Sequence, residues 1–259
     1  MKLGIVIPLK AKSASRNWQA TTTALHRTLR SVRQQSHPAF EAIVIGHDRP
    51  CFMDDFQSHV TFTSITTPPP TLKTASEFAT DNRRFTLDKN SKILRGMQSL
   101  LERDISHWFT LDADDLLCVN FVETLVTDGC EHGAIIDGGY LIYPHLGRFI
   151  HCSELSQYCG STSVLAAEQV GIPQEATSPD TVDCPWFRYP HTKMHSYFKE
   201  ERNIPYTDFS DPIVGYVLGH GDNCSDGYRN GLFHRLSAKL KPWIKGKPIS
   251  KTLAKRLAL

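Results

Sequence analysis

No apolar run in this sequence of 259 residues approaches the roughly 20 needed to cross a bilayer. The apolar opening, Met1 to Pro8, is too short for a leader and is soon interrupted by Lys10 and Lys12, so it reads as a first buried strand. There is no Cys-x-x-Cys pair. The 7 cysteines are scattered and odd in number, which argues against a zinc ribbon or a disulfide framework and suggests a reducing, cytoplasmic setting. No internal repeat is present. Acidic residues are missing from Gly227 to Leu259, where nine Lys or Arg give +9 and leave −7 for the rest within a net charge of +2. That tail interleaves its basic residues with Leu, Trp243 and Ile244. It suits peripheral contact with an anionic membrane, at about 1 kcal/mol per basic residue near the surface, or a solvated, partly disordered terminus. Pro242 and Pro248 prevent one continuous helix there. The acidic body argues against a nucleic-acid partner.

The chain is otherwise ordinary for a globular protein, with 40% hydrophobic and 22% charged residues. Leu3 to Leu9 is a continuous apolar run ending beside a proline, as in a strand buried on both faces. Leu25, Leu29 and Val32 recur at helical spacing and predict a helix over roughly Thr21 to Gln35. His37-Pro38 stops it, and Glu41 to Gly46 reads as a second strand, completing a strand–helix–strand unit of the parallel kind. Val60 to Ile65 offers a third strand, and the three prolines after Thr67 mark a loop. Ile93, Leu94, Met97, Leu100 and Leu101 form the clearest amphipathic stripe. His107 to Leu111 is a short strand, and Phe121, Leu125 and Val126 begin another helix. Farther on, Ala134 to Tyr143 and Pro212 to Leu218 read as strands and Ser161 to Val170 as a helix. Pro173 to Phe209 is irregular and rich in aromatics, His and Pro, like a substrate-binding half. Such alternation predicts a doubly wound α/β sheet, and ligands bind these at the carboxyl ends of the strands.

One of those ends carries Asp112-Ala113-Asp114-Asp115. Carboxylates this close repel one another and need a compensating cation or strong hydrogen bonds. Hard oxygen ligands suit Mg²⁺ or Mn²⁺, commonly held by one or two carboxylates together with substrate phosphates. In an extended segment Asp112 and Asp114 share a face, so one can address a sugar or ribose while the other takes the metal. The bland alternative is an acidic turn that caps the helix near Val119 or Asn120.

Three stretches resemble the A-type glycosyltransferases, family 2 in particular: Ile5-Val6-Ile7-Pro8; the passage from Leu29-Arg30-Ser31 to Val44-Ile45; and Phe109 to Asp115. Together they span roughly residues 3 to 126. The resemblance implies a single Rossmann-like nucleotide-diphospho-sugar transferase fold, with a mostly parallel sheet flanked by helices. It divides the chain into a nucleotide-sugar half at 1–130, an acceptor half at 131–232 and the basic tail at 233–259. It implies a metal-dependent hexosyltransferase that uses a nucleotide-diphosphate sugar, first of all a UDP-sugar, and transfers to a saccharide or lipid-linked acceptor with inversion. Pro8 and Leu9 would flank the base, with Asp48 near it. Asp112 and Ala113 would meet the donor, and Asp114 the metal. The family's Asp-Asp-Gly-Ser is here His47-Asp48-Arg49-Pro50. Lys92, in the stretch from Asp88 to Lys92 that precedes the helix of the amphipathic stripe, is a candidate phosphate or base contact, with Asp88 or Asn90 as alternative helix caps. His220, between two glycines, is a candidate metal or diphosphate ligand, with Asn223 and Ser225 nearby. Asp183 is the candidate general base, ahead of Glu175, Asp180, His191 and His195. Cys159 to Ser163 resembles an acceptor-side turn and equally reads as a helix start capped by Ser161. A nucleotidyltransferase also clusters aspartates, but its first loop is glycine-rich, whereas Lys10 to Arg16 has no glycine. A non-catalytic module is the third reading.

Overall fold

The computed structural model describes residues 1–71, 83–175, 178–219 and 240–259. Its larger sheet begins with β1 (Leu3–Pro8), whose every residue is buried. Alternate side chains go to opposite faces. Leu3, Ile5 and Ile7 therefore join Leu25, Leu29 and Val32 of helix α1 (Trp18–Arg33) on one side. Val6 joins Ile93, Leu94 and Met97 of helix α2 (Arg83–Ser99) on the other. Asn17 caps α1 by accepting from the Ala20 amide at 3.0 Å. On α2, Gly96 allows close approach: a Cβ there would lie 2.4 Å from Val6 Cγ1.

β1 pairs in parallel with β2 (Phe40–Gly46) on one side and with β4 (His107–Thr110) on the other. β3 (Val60–Ser64) extends the sheet beyond β2, also in parallel. Past β4 the sheet continues through β9 (Ser163–Ala166) and β6 (Ala134–Ile136) to β10 (Thr207–Phe209). β9 alone runs antiparallel to its neighbours. The predicted helix at Ser161 to Val170 is thus a strand. Its short apolar run is buried between two ladders, where strand pairing outweighs helical spacing. The predicted strand at Ala134 to Tyr143 divides into β6 and β7 (Gly139–Tyr143), which lie in different sheets. Gly138 sits at the break, where a Cβ would meet the Ser210 carbonyl oxygen at 2.0 Å.

The second sheet has the order β12 (Lys247–Pro248), β8 (Arg148–Cys152), β7, β11 (Val214–Val217) and β5 (Leu116–Leu117). Between the sheets, helix α3 (Phe121–Asp128) buries Phe121, Val122 and Leu125. The end of the chain is folded rather than a free tail. β12 pairs with β8, and helix α4 (Lys251–Arg256) together with Leu257 places Leu253 and Leu257 in the core. The Val119 amide donates to the Arg256 carbonyl at 2.8 Å. No helix among the described residues is long and apolar enough to cross a membrane.

Candidate functional site

Asp112 to Asp115 follows β4 as a tight turn rather than an extended segment, closed by the Asp115 amide on the Asp112 carbonyl at 3.0 Å. The aspartates therefore differ in environment. Asp112 and Asp114 are half-buried at the carboxyl edge of the sheet, whereas Asp115 is fully buried. Asp115 does not cap α3, whose N-cap is Asn120 without a side-chain cap bond. Instead its carboxyl accepts from Ser161 Oγ at 2.7 Å, Cys159 Sγ at 3.1 Å and the Val217 amide at 3.3 Å. Burial, followed by the charges of Asp114 and Asp112, pushes its carboxyl well above the ordinary carboxylate range. Ser161 also accepts from the Asp112 amide at 2.9 Å. It joins the turn to the entrance of β9 and caps no helix.

Helix α2 brings a cation to this turn. Lys89 Nζ lies 2.5 Å from Asp112 Oδ1. Gly160 faces the other oxygen, and a Cβ there would stand 3.2 Å from Asp112 Oδ2. Hard carboxylate oxygens on a half-buried turn are of the chemistry that suits Mg²⁺ or Mn²⁺, and Lys89 now holds one oxygen of Asp112. One turn farther along α2, Lys92 is buried and its Nζ pairs with Asp88 at 2.5 Å. Burial lowers the Lys92 pKa from its ordinary value, opposed by Asp88 and then Asp48. Asp88 and Asn90 lie inside α2 and cap nothing.

Across β1 from the acidic turn, a cleft of about 580 Å³ opens at the ends of the first strands. Lys12, Ser13, His47, Asp48, Thr67 and Pro69 line it. Its volume suits a small organic ligand. Asp48 Oδ2 accepts from the Lys12 amide at 2.8 Å, which fixes the loop after β1. His47 Nε2 meets the Thr67 carbonyl at 2.8 Å. His47 Nδ1 and Asp88 Oδ1 are buried without a hydrogen-bond partner among the described residues. β2 and β4 flank β1, so Asp48 and Asp112 stand two strands apart, roughly 10 Å at strand spacing.

The structure thus gathers Asp48, Lys92, Asp112, Ala113 and Asp114 along one edge of the sheet. Pro8 and Leu9 are buried and set the end of β1 from within, with the Leu9 amide on the Ile45 carbonyl at 2.8 Å. Asp183 is exposed and pairs with Arg188 at 3.1 Å. Among the described residues no hydrogen bond or ion pair links it to the acidic turn. His220, Asn223 and Ser225 lie outside the described residues. Sequence reasoning missed Lys89 and His47 as parts of this edge, and read Ser161 only as part of an acceptor-side turn or as a helix cap. The spacing of Lys89 one turn from Lys92 on a single helix was the available signal.

No protein-family model matches the sequence, and no curated protein does. Three solved structures of S. aureus TarS align with this chain, each at a TM-score below 0.5. TarS 1–349 in complex with UDP aligns at 10% identity and a TM-score of 0.49, covering 85% of this chain and 61% of that one. A second structure of TarS 1–349 aligns at 11% identity and 0.45, covering 84% and 60%. A structure of TarS without a stated range aligns at 10% and 0.47, covering 92% of this chain and 39% of that one. This chain therefore spans less than two thirds of the length of each.

Proposed function

We propose that this protein is a glycosyltransferase that moves a hexosyl group, with inversion, from a nucleotide-diphosphate sugar to a saccharide or lipid-linked acceptor. The observation that carries the proposal is one edge holding both a ligand-sized cleft at Asp48 and an acidic turn at Asp112 and Asp114. Helix α2 brings Lys89 to the turn, and its buried Lys92, paired with Asp88, feels the charge of Asp48 in the cleft. A UDP-sugar would seat its base in the cleft and its diphosphate at the turn. Asp114, with His220, would hold Mn²⁺ or Mg²⁺ while Asp112 meets the donor, and the chemistry such a cation supplies is neutralisation of charge on the departing diphosphate. Lys89 adds a second positive charge at the same place. The acceptor oxygen must lose its proton to a base. Asp183 is the carboxylate that the sequence offers for this step.

The proposal predicts that UDP with Mn²⁺ raises the melting temperature and that UDP-sugars are slowly hydrolysed to UDP. D112N and D114N should each lower turnover on the order of 10²–10³-fold. Pyrophosphate release from a nucleoside triphosphate would point to a nucleotidyltransferase instead. No metal or nucleotide effect at all would leave a non-catalytic binding module.

We further propose that the basic end of the chain places the enzyme at the inner, anionic face of a membrane. Leu240, Trp243 and Ile244 are 50%, 57% and 77% exposed, and Lys241, Lys245 and Lys247 share that segment. Arg148 braces the segment by donating to the Pro242 and Gly246 carbonyls at 2.8 and 2.6 Å. Apolar side chains within a basic rim suit an anionic headgroup layer. Because β12 is paired to β8 and α4 with Leu257 places Leu253 and Leu257 in the core, point variants test this better than truncation. W243A/I244A should lose sedimentation with phosphatidylserine vesicles while keeping its fold. Equal sedimentation with uncharged vesicles would overturn the idea.

A further inference from the structure

A second group of chemistry-bearing side chains stands on the same edge, around His195, one of the alternative bases that the sequence offers. Asp137 directly follows β6. β6 lies two strands from β4, across β9, and runs the same way as β4 because β9 is antiparallel to both. Asp137 is therefore at the carboxyl edge, roughly 10 Å from Asp112 at strand spacing, on the side away from the nucleotide cleft. That is where an acceptor must approach a donor whose diphosphate lies at the acidic turn.

The carboxylate of Asp137 is fixed. Its Oδ1 accepts from Ser156 Oγ at 2.5 Å and from the Ser156 amide at 3.3 Å. Its Oδ2 faces His195 Nε2 at 2.9 Å. A carboxylate on Nε2 holds the ring proton there and leaves the Nδ1 lone pair available as a base. Nδ1 already meets a hydroxyl, that of Tyr206, at 2.8 Å. The pair is half-buried and reachable, with side chains 24% and 19% exposed. Asp208 of β10 brings a further carboxyl to within 4.8 Å. Lys199, 5.7 Å from the Tyr206 ring centre, faces the group from the 197–201 turn. By contrast Asp183 is 72% exposed at its side chain and already neutralised by Arg188.

We infer that His195, oriented by Asp137, takes the proton of the acceptor hydroxyl, which displaces the Tyr206 hydroxyl from Nδ1. This rests on the transferase reading above. As the acceptor oxygen bonds to the anomeric carbon, its proton passes to His195 Nδ1. The bond from that carbon to the diphosphate oxygen breaks, and the oxygen leaves with the electron pair. His195 is then the catalytic residue, and Asp137 a positioning residue that holds the ring with Nδ1 free to face the acceptor.

The test uses the full chain with a UDP-sugar and a saccharide acceptor, in variants H195A, H195Q and D137N. H195Q keeps a donor toward Asp137 and guards against a folding defect in H195A. Both His195 variants should lose transfer on the order of 10²–10⁴-fold. Stabilisation by UDP with Mn²⁺ should persist unchanged, which separates this inference from failure of the donor site. D137N should lower kcat while KM and the stabilisation by UDP with Mn²⁺ stay unchanged, and Y206F should retain transfer. Transfer within about threefold of the parent in H195Q would overturn the inference. So would loss confined to D183N, or a divalent cation found bound by Asp137, His195 and Asp208.

Discussion

Replacing Asp115 by alanine takes the acceptor away from Ser161 Oγ, the Val217 amide and the Cys159 thiol at once. A buried donor left without a partner costs about 1–3 kcal/mol. The thiol is a weak donor, so the two strong ones set the scale, and removal of a carboxyl that burial disfavours offsets part of it. The expected loss is about 3 kcal/mol, which in a domain of this size lowers Tm by roughly 6–12 °C. D115N keeps the volume and one acceptor, and should lose about half as much. The pH dependence has a defined sign. Burial and its acidic neighbours raise the folded-state pKa of Asp115 above its unfolded value. Its protonated form therefore adds stability that is fully present below the ordinary carboxylate range and is lost as pH rises toward the raised value. The gap between parent and D115N should narrow over that interval, read by thermal or urea melts at several pH values. A D115A melt within about 2 °C of the parent would refute the reasoning, because an effect under 1 kcal/mol is too small for two stranded donors. A gap that widens with pH would show that the Ser161, Cys159 and Val217 donors outweigh burial.

G96A should push α2 away from β1, since the new Cβ would lie 2.4 Å from Val6. Overpacking of this kind costs about 1–3 kcal/mol, and UDP titration should show weaker binding as Lys89 and Lys92 shift. K92M strands the half-buried Asp88 without its cation, a loss of about 3 kcal/mol or more by urea denaturation, and adding D88N should recover most of it. Burial lowers the folded-state pKa of Lys92. Its contribution is present above the ordinary lysine range and lost as pH falls, so the parent should gain on D88N/K92M as the solution becomes alkaline. K89A releases Asp112 Oδ1 from its ammonium partner. Calorimetry should then show tighter Mn²⁺ binding without nucleotide, and unchanged or weaker affinity would contradict a shared site.

The first four strands and the two helices between them were readable because their signals are local. Apolar residues repeat every two positions in a strand and every three to four in a helix, whatever the rest of the chain does. Even the ends were close: α1 runs from Trp18 to Arg33 against an expected Thr21 to Gln35. β9 was misread because an apolar run of four residues fits a strand or a helix equally, and only the ladders on either side decide. The split between β6 and β7 was hidden in one continuous apolar stretch. Its cause, the close approach of Gly138 to Ser210, joins positions 72 apart by residue number.

The site divides along the same line. The sequence by itself determined that three aspartates stand at the end of a buried strand, because strand length and polarity are written in neighbouring residues. It also determined that a basic, aromatic-bearing segment ends the chain. Only the tertiary structure decided that these aspartates are unequal. Asp115 is buried by Ser161 and Val217, which lie 46 and 102 residues away, while Asp112 meets Lys89 from a helix on the other side of the chain's crossover. It likewise set His195 against Asp137 across 58 residues. The difference is physical: an element forms from short-range periodicity, but a carboxyl's charge state and partners depend on desolvation and hydrogen bonds that exist only once the order of strands in the sheet is fixed.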